Sequence, residues 1–329
     1  MSPTRNIGNS TFAAIGFGAM GIAGFYGQVE SDEERFKVLD AAHAAGCTFW
    51  DTADMEELIG KWFKRTGKRA DIFLATKFGF MADYSINGSP EHVREAAASS
   101  LKKLGIETID LYFLHRADPK IPIEKTVGAM AELVREGKVK HLGLSEVSAA
   151  TLRRAHAVHP IAAVEVEYSP FMLDIEDPKV DLLNTARELG VKIVAYSPLG
   201  RGLLTGQYKS PDDFVPDDFR RMLPRYSAAN FPNVLKIATA LKAIGAKYGA
   251  TAGQAALAWL LSQGDDVIPI PGTKKMKYLA ENICARDFAL SPADVQAVRD
   301  VAAAADAAQG ARYPPGMQDL TFVETPALV

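Results

Sequence analysis

Ile72-Phe73-Leu74-Ala75-Thr76-Lys77, then Ser89-Pro90-Glu91-His92, then Ile109-Asp110-Leu111-Tyr112-Phe113-Leu114-His115 make up one repeating unit of this chain. The two apolar runs read as strands buried on both faces, the pattern of parallel strands covered by helices. Between them a serine followed by proline opens a helix. Working outward, the unit recurs from end to end. Strands are expected at 13–17, 47–50, 72–76, 109–114, 141–144, 162–166, 192–195 and 267–270. Ser31-Asp32-Glu33-Glu34 reads as a capping box, and Ser291-Pro292-Ala293-Asp294 repeats the serine–proline start. Eight strands alternating with helices admit an open doubly wound sheet or a closed cylinder. The count of eight, with no linker or composition break, favours an α/β fold of the (β/α)8 barrel type spanning 1–329 as a single domain. Residues 206–233, rich in Pro, Asp and Arg, are too long for a simple connection and are expected to pass over the barrel mouth. Residues 310–329 are expected to wrap the surface as a C-terminal tail.

The 37 basic residues against 40 acidic ones give a net charge of -3, which offers no electrostatic footprint for nucleic acid or for an anionic membrane. A small molecule is the better default partner. Cys47 and Cys284 form no metal-ligand or disulfide pattern and read as buried free thiols in a reducing compartment. The first residues show no signal peptide, and the longest apolar helix candidate, 252–261, is far too short to span a bilayer. A cytoplasmic protein is expected.

Gly16-Phe17-Gly18-Ala19-Met20-Gly21 matches the dinucleotide-binding motif G-x-G-x-x-G literally. That motif must open a helix directly, so that a pyrophosphate sits at the helix N-terminus. Here Ile22-Ala23-Gly24-Phe25-Tyr26-Gly27 follows, which cannot start a helix. The motif is therefore rejected, and the glycines read as a mobile loop at a strand end.

Catalytic groups of a barrel come from the C-terminal ends of different strands. Three successive runs end in residues that are costly to bury: Phe49-Trp50 in Asp51, Phe73-Leu74-Ala75-Thr76 in Lys77, and Leu111-Tyr112-Phe113-Leu114 in His115. Buried charges occur paired, and adjacent strands would bring Asp51 within ion-pair reach of Lys77. Singly, Lys77 could be a solvated edge charge and His115 a satisfied core histidine. The three in succession point to a site. His43, His92, His141, His156 and His159 lie in helices or beside strand starts and read as bystanders.

These motifs, taken in order, resemble the aldo-keto reductases over nearly the whole chain. The carriers are Gly16–Gly21, Phe49-Trp50-Asp51-Thr52-Ala53, Leu74-Ala75-Thr76-Lys77, Asp110-Leu111-Tyr112-Phe113-Leu114-His115, Gly143-Leu144-Ser145, Glu167-Tyr168-Ser169-Pro170, Ala195-Tyr196-Ser197-Pro198-Leu199-Gly200-Arg201-Gly202 and Ile270-Pro271-Gly272-Thr273-Lys274. The resemblance implies NADPH-dependent reduction of an aldehyde or ketone to an alcohol. It makes Asp51, Lys77 and His115 three members of a catalytic tetrad, with Lys77 lowering the pKa of a phenol donor, Asp51 holding Lys77 and His115 orienting the carbonyl. It also places Gly18, Met20 and Asp51 on the cofactor, Tyr196 against the nicotinamide face, and Ser145, Glu146 and Glu165 at the carboxamide. Glu165 departs from the glutamine common there; a carboxylate can accept from the amide but cannot donate to it. Ser197, Leu199, Gly200 and Arg201 look like the pyrophosphate loop. Gly272, Thr273, Lys274, Glu281 and Asn282 match the adenosine end, where Lys274 and Lys277 would favour a 2′-phosphate.

The family's tyrosine is missing. Its second motif runs from Asp-Thr-Ala through a Tyr-Gly pair and a few loop residues to Glu-x-x-Leu-Gly, whereas this chain reads Asp51-Thr52-Ala53-Asp54-Met55-Glu56-Glu57-Leu58-Ile59-Gly60, with glutamate where the tyrosine is expected. Either the protein lacks these residues, or the sequence as read has closed a gap over them. The intactness of every other motif favours the second reading, and the intact mass of the purified protein distinguishes the two. If the loop is truly absent, cofactor binding with strongly reduced turnover is expected, with Tyr26, Tyr84 or His115 as substitute donors. Two rival functions fit the same fold: a cofactor-binding regulatory barrel like the β-subunits of potassium channels, and a Schiff-base lyase using Lys77. Substrate identity sits in the loops 21–30, 79–87 and 206–233, with Phe25, Tyr26, Phe80 and Met81 as candidate apolar walls.

Overall fold

The structure, a computed structural model, describes residues 3–22, 29–53, 55–81 and 83–328. The chain opens with a hairpin, β1 (Thr4–Ile7) paired antiparallel with β2 (Ser10–Ala13), which no expected strand anticipated as such. The run expected at 13–17 is divided: Ala13 pairs with Thr4 in the hairpin, and the barrel strand β3 is only Phe17–Gly18. The other seven runs are strands as expected, with bounds shifted by a few residues: β4 (Phe49–Asp51), β5 (Phe73–Phe78), β6 (Ile109–Leu114), β7 (Val139–Ser145), β8 (Ile161–Glu167), β9 (Lys192–Tyr196) and β10 (Val267–Pro269). From β3 to β10 each is parallel to the next, in chain order.

The cylinder closes between β10 and β3. The Gly16 N–H donates to the Pro269 carbonyl at 2.9 Å, and the Gly18 N–H donates to that of Pro271 at 3.2 Å. Pro269 and Pro271 have no N–H to return, so this seam is bonded in one direction only. Gly16 and Gly18 thus belong to the seam, not to a mobile loop. A Cβ on Gly18 would lie 2.7 Å from the Ile270 carbonyl oxygen, and one on Gly272 would lie 2.7 Å from that of Gly18. We expect Gly18→Ala to force the seam apart and cost about 1–3 kcal/mol in urea unfolding, as overpacking does. Gly128→Ala, on a helix where a Cβ meets nothing within 4 Å, should be neutral or stabilising. Equal effects from the two would refute this account of the seam.

Among the described residues ten helices cover the outside: α1 (Asp32–Ala44), α2 (Glu56–Thr66), α3 (Pro90–Leu104), α4 (Ile123–Arg135), α5 (Ala149–Val158), α6 (Leu182–Glu188), α7 (Phe231–Lys247), α8 (Ala252–Leu261), α9 (Met276–Cys284) and α10 (Pro292–Ala305). Ser31, Ser89, Ser148, Thr251 and Ser291 each accept a backbone N–H two or three residues inside their helix, satisfying a donor with no intrahelical partner. The reciprocal capping box forms at Thr251 with Gln254; at Ser31 only the serine half is made.

Strand alternation divides the core in two. Outward residues such as Trp50, Leu74, Tyr112 and Val164 pack under the helices. Inward residues Phe49, Phe73, Ala75, Leu111, Phe113, Ala163, Val194, Ile268 and Ile270 fill the cylinder. Ile7 and Phe12 of the hairpin join this inner cluster, with Phe12 4.8 Å from Phe49 and 5.1 Å from Phe73 between ring centroids. The hairpin therefore plugs one end. Each large apolar side chain buried this way contributes roughly 1.5–3 kcal/mol. Two residues further along the strands, the same inward phase reaches Asp51, Lys77, His115, Glu165 and Tyr196. The plugged end makes the opposite mouth the one place where the inner face can turn polar.

Within 206–230 the connection winds through short 3-10 turns (Pro211–Asp213, Phe219–Met222 and Pro224–Tyr226), and α7 starts before the expected loop has ended. The C-terminal segment is bonded to the barrel. Val323 exchanges backbone hydrogen bonds with Glu146 and Ser148, and Arg154 donates to the Thr325 carbonyl at 2.7 Å. Cys47 is buried as expected, but Cys284 is exposed, because α9 turns Leu279, Asn282 and Ile283 inward instead. Among the described residues no helix is long and apolar enough to cross a membrane.

Candidate active site

Lys77 stands at the centre of the mouth. Its side chain is only 4% exposed, and its Nζ donates to Asp51 Oδ1 and to the Thr52 carbonyl at 3.3 Å. Its third contact is Glu165 Oε2 at 3.1 Å, reached across the cylinder from β8. Burial works against the ammonium, but Asp51 and Glu165 outweigh it and raise the lysine pKa above its ordinary value. The two carboxyl values are raised as well, which in their case disfavours the charge. Burial raises Asp51, and burial together with Asp51 pushes Glu165 up to about 8. Asp51 Oδ2 and Glu165 Oε2 are both buried without a well-directed hydrogen bond. One proton on Glu165, shared with Asp51, satisfies both oxygens and removes the repulsion of two facing carboxylates.

His115 follows β6, half-buried, with Phe80 5.4 Å away between ring centroids. Burial, then Arg116, then Lys77 drive its pKa well below the ordinary imidazole value, so it is neutral near pH 7. A neutral imidazole beside a fixed ammonium can offer an N–H to a carbonyl oxygen without competing for its charge. The residues expected at three strand ends thus come together at one mouth, with Glu165 as a fourth.

A second cluster adjoins the first. Glu146, fully buried, accepts from the Tyr196 hydroxyl at 2.8 Å and from the Glu167 N–H at 3.2 Å, and is ion-paired with Arg312. Burial opposes its charge, but Arg312 and Arg116 more than offset that and hold its pKa below the usual carboxylate value. Arg116 donates to Ser145 Oγ at 3.1 Å. Tyr313 shares a hydrogen bond with Tyr196 and accepts one from Arg201 at 2.8 Å. Ser145, Glu146 and Tyr196 are therefore adjacent. Arg116, Glu167, Arg312 and Tyr313 were not anticipated. Arg116 carried the same signal as its neighbour, a charge at a strand end. Arg312 and Tyr313 carried none, because a tail rich in proline reads as surface, yet both are buried.

The remaining candidates lie in the turn after β9, at the β3–β10 seam and around the start of α9. Ser197, Gly200, Arg201 and Gly202 all have positive φ (50°, 55°, 51° and 97°). Left-handed residues so close together form a concave backbone of the kind that cradles anions, and the strain at Ser197 and Arg201 is of the kind kept at functional sites. Leu199 lies within the same turn, with its carbonyl accepting from Gly202 at 3.0 Å. Met20 is in a 3-10 turn (Ala19–Ile22) beside the seam, between Gly18 and Gly21, which both lie against Gly272. Lys274 lines a cavity of about 320 Å³ with Arg35, Lys37 and Lys275, against Glu30 and Glu34. Thr273 accepts the Lys275 N–H at 3.1 Å, and Glu281 accepts from Thr251 at 2.6 Å, with Asn282 buried beside it. Lys277 does not line that cavity. The described residues thus offer a ligand a buried polar cluster around Tyr196, a concave backbone turn at 197–202 and a cavity with cationic walls.

Glu56 does not stand in for the tyrosine. It accepts from Thr76 Oγ1 at 2.9 Å and lies 3.5 Å from Lys103 Nζ, under α2 and α3. Thr76 and Lys77 point to opposite faces of β5, so a group bonded to Thr76 is on the helix side and cannot enter the mouth. Tyr26 and Phe25 lie outside the described residues. Tyr84 is 71% exposed. Among the described residues no tyrosine hydroxyl is hydrogen-bonded to Lys77.

The aldo/keto reductase family model matches residues 14–303. The aldo-keto reductase str7 of Strobilurus tenacellus is 67% identical over 309 residues, covering 91% of this chain and 92% of that protein. The aldo-keto reductase yakc [NADP(+)] of Schizosaccharomyces pombe is 50% identical over 337 residues, covering 99% and 98%. Among solved structures, the glycerol dehydrogenase of Gluconobacter oxydans superposes with a TM-score of 0.83 at 26% identity, over 92% of this chain and 96% of that one. Likeness of this extent, in sequence and in the closed cylinder alike, leads to one assignment: the chain belongs to the aldo/keto reductase family.

Proposed function

We propose that the protein binds NADPH across its barrel mouth and reduces a small aldehyde or ketone to the alcohol, working in the cytoplasm without a nucleic-acid or membrane partner. The observation that carries this is the buried Lys77 ammonium on the inner wall, beside neutral His115 and one strand-end cluster away from Tyr196. Bound NADPH would supply the hydride. The residues that would hold it are Tyr196, Ser145 and Glu146 at the carboxamide end, the cradle 197–202 at the pyrophosphate, and Lys274 with Thr273, Glu281 and Asn282 at the adenosine end. His115 would donate an N–H to the substrate carbonyl, with Phe80 as an apolar wall. The preference for a 2′-phosphate rests on the lysines of the 320 Å³ cavity and on the NADP(+) named for the fission-yeast relative.

The test is a fluorescence titration of NADPH and NADH against the wild type and Lys274→Ala/Lys275→Ala. Loss of two charge-assisted phosphate contacts should weaken NADPH by roughly ten- to a hundredfold and leave NADH unchanged. Equal weakening of both would remove the 2′-phosphate assignment, and no binding of either by the wild type would remove the function. A Schiff-base lyase is disfavoured. Its lysine needs a lowered pKa, whereas Asp51 and Glu165 raise that of Lys77.

A further inference from the structure

The function proposed above sets Tyr196 against the nicotinamide, and the hydroxyl of that tyrosine has a partner that no barrel strand supplies. The Tyr196 and Tyr313 hydroxyls lie 3.0 Å apart across 117 positions of sequence, and Arg201 Nη2 lies 2.8 Å from the Tyr313 oxygen. The two ends of this row fix its donor directions. A guanidinium can only donate, and the ionised Glu146 can only accept. Tyr196 therefore donates to Glu146 at 2.8 Å, Tyr313 donates to Tyr196, and Arg201 donates to Tyr313. Each hydroxyl gives one hydrogen bond and takes one, in a row polarised from a cation to an anion.

The sequence prepares Tyr313 for this place. Pro314 follows it and disfavours a helical backbone at 313, so less conformational entropy is lost in fixing the ring. The Tyr313 N–H donates to Gln318 at 3.1 Å, and the guanidiniums of Arg201 and Arg312 lie 5.5 and 5.7 Å from its ring centroid. Arg201 is fixed in turn. Its carbonyl accepts from Arg220 at 2.8 Å, and Glu167 lies 3.5 Å from its guanidinium. We propose that Tyr313 is a positioning residue of the reductase, its hydroxyl setting the Tyr196 ring, and through that ring the nicotinamide, while tying this platform to Arg201 of the cradle. The inference rests on the reductase reading above. Tyr313 acts through Tyr196 and need not touch cofactor or substrate. Held by Glu146 alone, the Tyr196 oxygen would be anchored from one side, and the ring could swing about that contact. Tyr313 holds the same oxygen from the tail, and hydride transfer is sensitive to displacements of an ångström or less.

Phenylalanine at 313 keeps the ring against both guanidiniums and removes only the hydroxyl. For Tyr313→Phe we expect single-turnover reduction of an activated aromatic aldehyde at saturating NADPH to slow about three- to tenfold, the share of one hydrogen bond. Tyr196→Phe cuts the same row and should slow the step at least as much. In the Tyr196→Phe background, adding Tyr313→Phe should change the rate less than about twofold, because no hydroxyl is left to position. A tyrosine that only braced the tail would give losses that multiply. A further measurement needs no variant. Coupling between two sites is mutual, so NADPH should slow hydrogen exchange of the 311–313 amides of the wild type by about threefold or more. Multiplying losses, Tyr313→Phe at the wild-type rate, or exchange unaltered by bound NADPH would each overturn the proposal and leave the reductase reading intact. A wild type that binds no NADPH overturns both.

Discussion

Lys77→Met is expected to eliminate NADPH-dependent turnover and to destabilise the barrel by about 3–5 kcal/mol at pH 8, with much of the stability regained at pH 5. The catalytic loss follows from the position of the ammonium. Among the described residues Lys77 is the cation in contact with both Asp51 and Glu165, and it is the charge that would acidify a proton donor or stabilise a developing alkoxide at the mouth. NADPH binding should persist, because the cradle 197–202 and the cavity around Lys274 are built from other strands. The stability loss follows from what stays behind, two buried carboxyls without their cation.

Its pH dependence has a definite sign. The folded pKa of Glu165 is already raised, from 4.5 to about 8, so its contribution is complete below about pH 4.5 and is lost as pH rises towards 8. Removing Lys77 takes away a group that lowers both carboxyl values, which moves them further up and steepens the same decline. At low pH both carboxyls are protonated in the variant and the missing charge matters little. Urea midpoints of wild type and variant at pH 5 and 8 measure this. A loss of the same size at both values, or turnover within tenfold of wild type, would defeat it.

The sequence made some of this legible and hid the rest for physical reasons. Asp51, Lys77 and His115 could be read because each continues an inward phase set by an apolar run, and the cost of burying them marks them as unusual. Glu165 stood out as a departure from glutamine. That its pKa is raised could not be read, because the shift depends on burial and on Asp51, brought from the far side of the cylinder by closure. Closure itself is nearly silent in sequence. Gly16, Gly18 and Gly272 resemble loop glycines until Phe49, the Ile270 carbonyl and the Gly18 carbonyl, respectively, are seen to leave no room for a Cβ. The hairpin shares a residue with the run at 13–17, so a window over that run blends two strands. Glu56 occupies the tyrosine's place along the chain but not in space, since helix α2 begins there and turns it to Thr76. Arg312 meets Glu146 across 166 positions, and no local pattern records such a meeting.

Arg312→Met should therefore show how much the tail matters, with an expected loss of about 3–5 kcal/mol at pH 7. The Arg312 side chain is 1% exposed and Glu146 is not exposed at all, so the variant leaves a buried carboxylate short of its main counter-charge. Arg116, the Tyr196 hydroxyl and the Glu167 N–H remain and should keep the loss from exceeding that range. Glu146 has a folded pKa held below its unfolded value, so its stabilisation is present above about pH 4.5 and fades as pH falls. The difference between variant and wild type should accordingly shrink at pH 4. Uncompensated charge and lost packing are separable by the double variant Arg312→Met/Glu146→Gln. Glutamine can still accept from Tyr196 and from the Glu167 N–H, so the double variant should recover more than half of the loss if charge is the cause. Recovery should extend to the tail, because Val323 bonds to the Glu146 backbone, and proteolysis near 310–316 should be faster in Arg312→Met than in the double variant. A double variant no more stable than the single one would mean that Arg312 acts through its packing on Tyr313 and Phe322, and that the charge of Glu146 is carried by Arg116 alone.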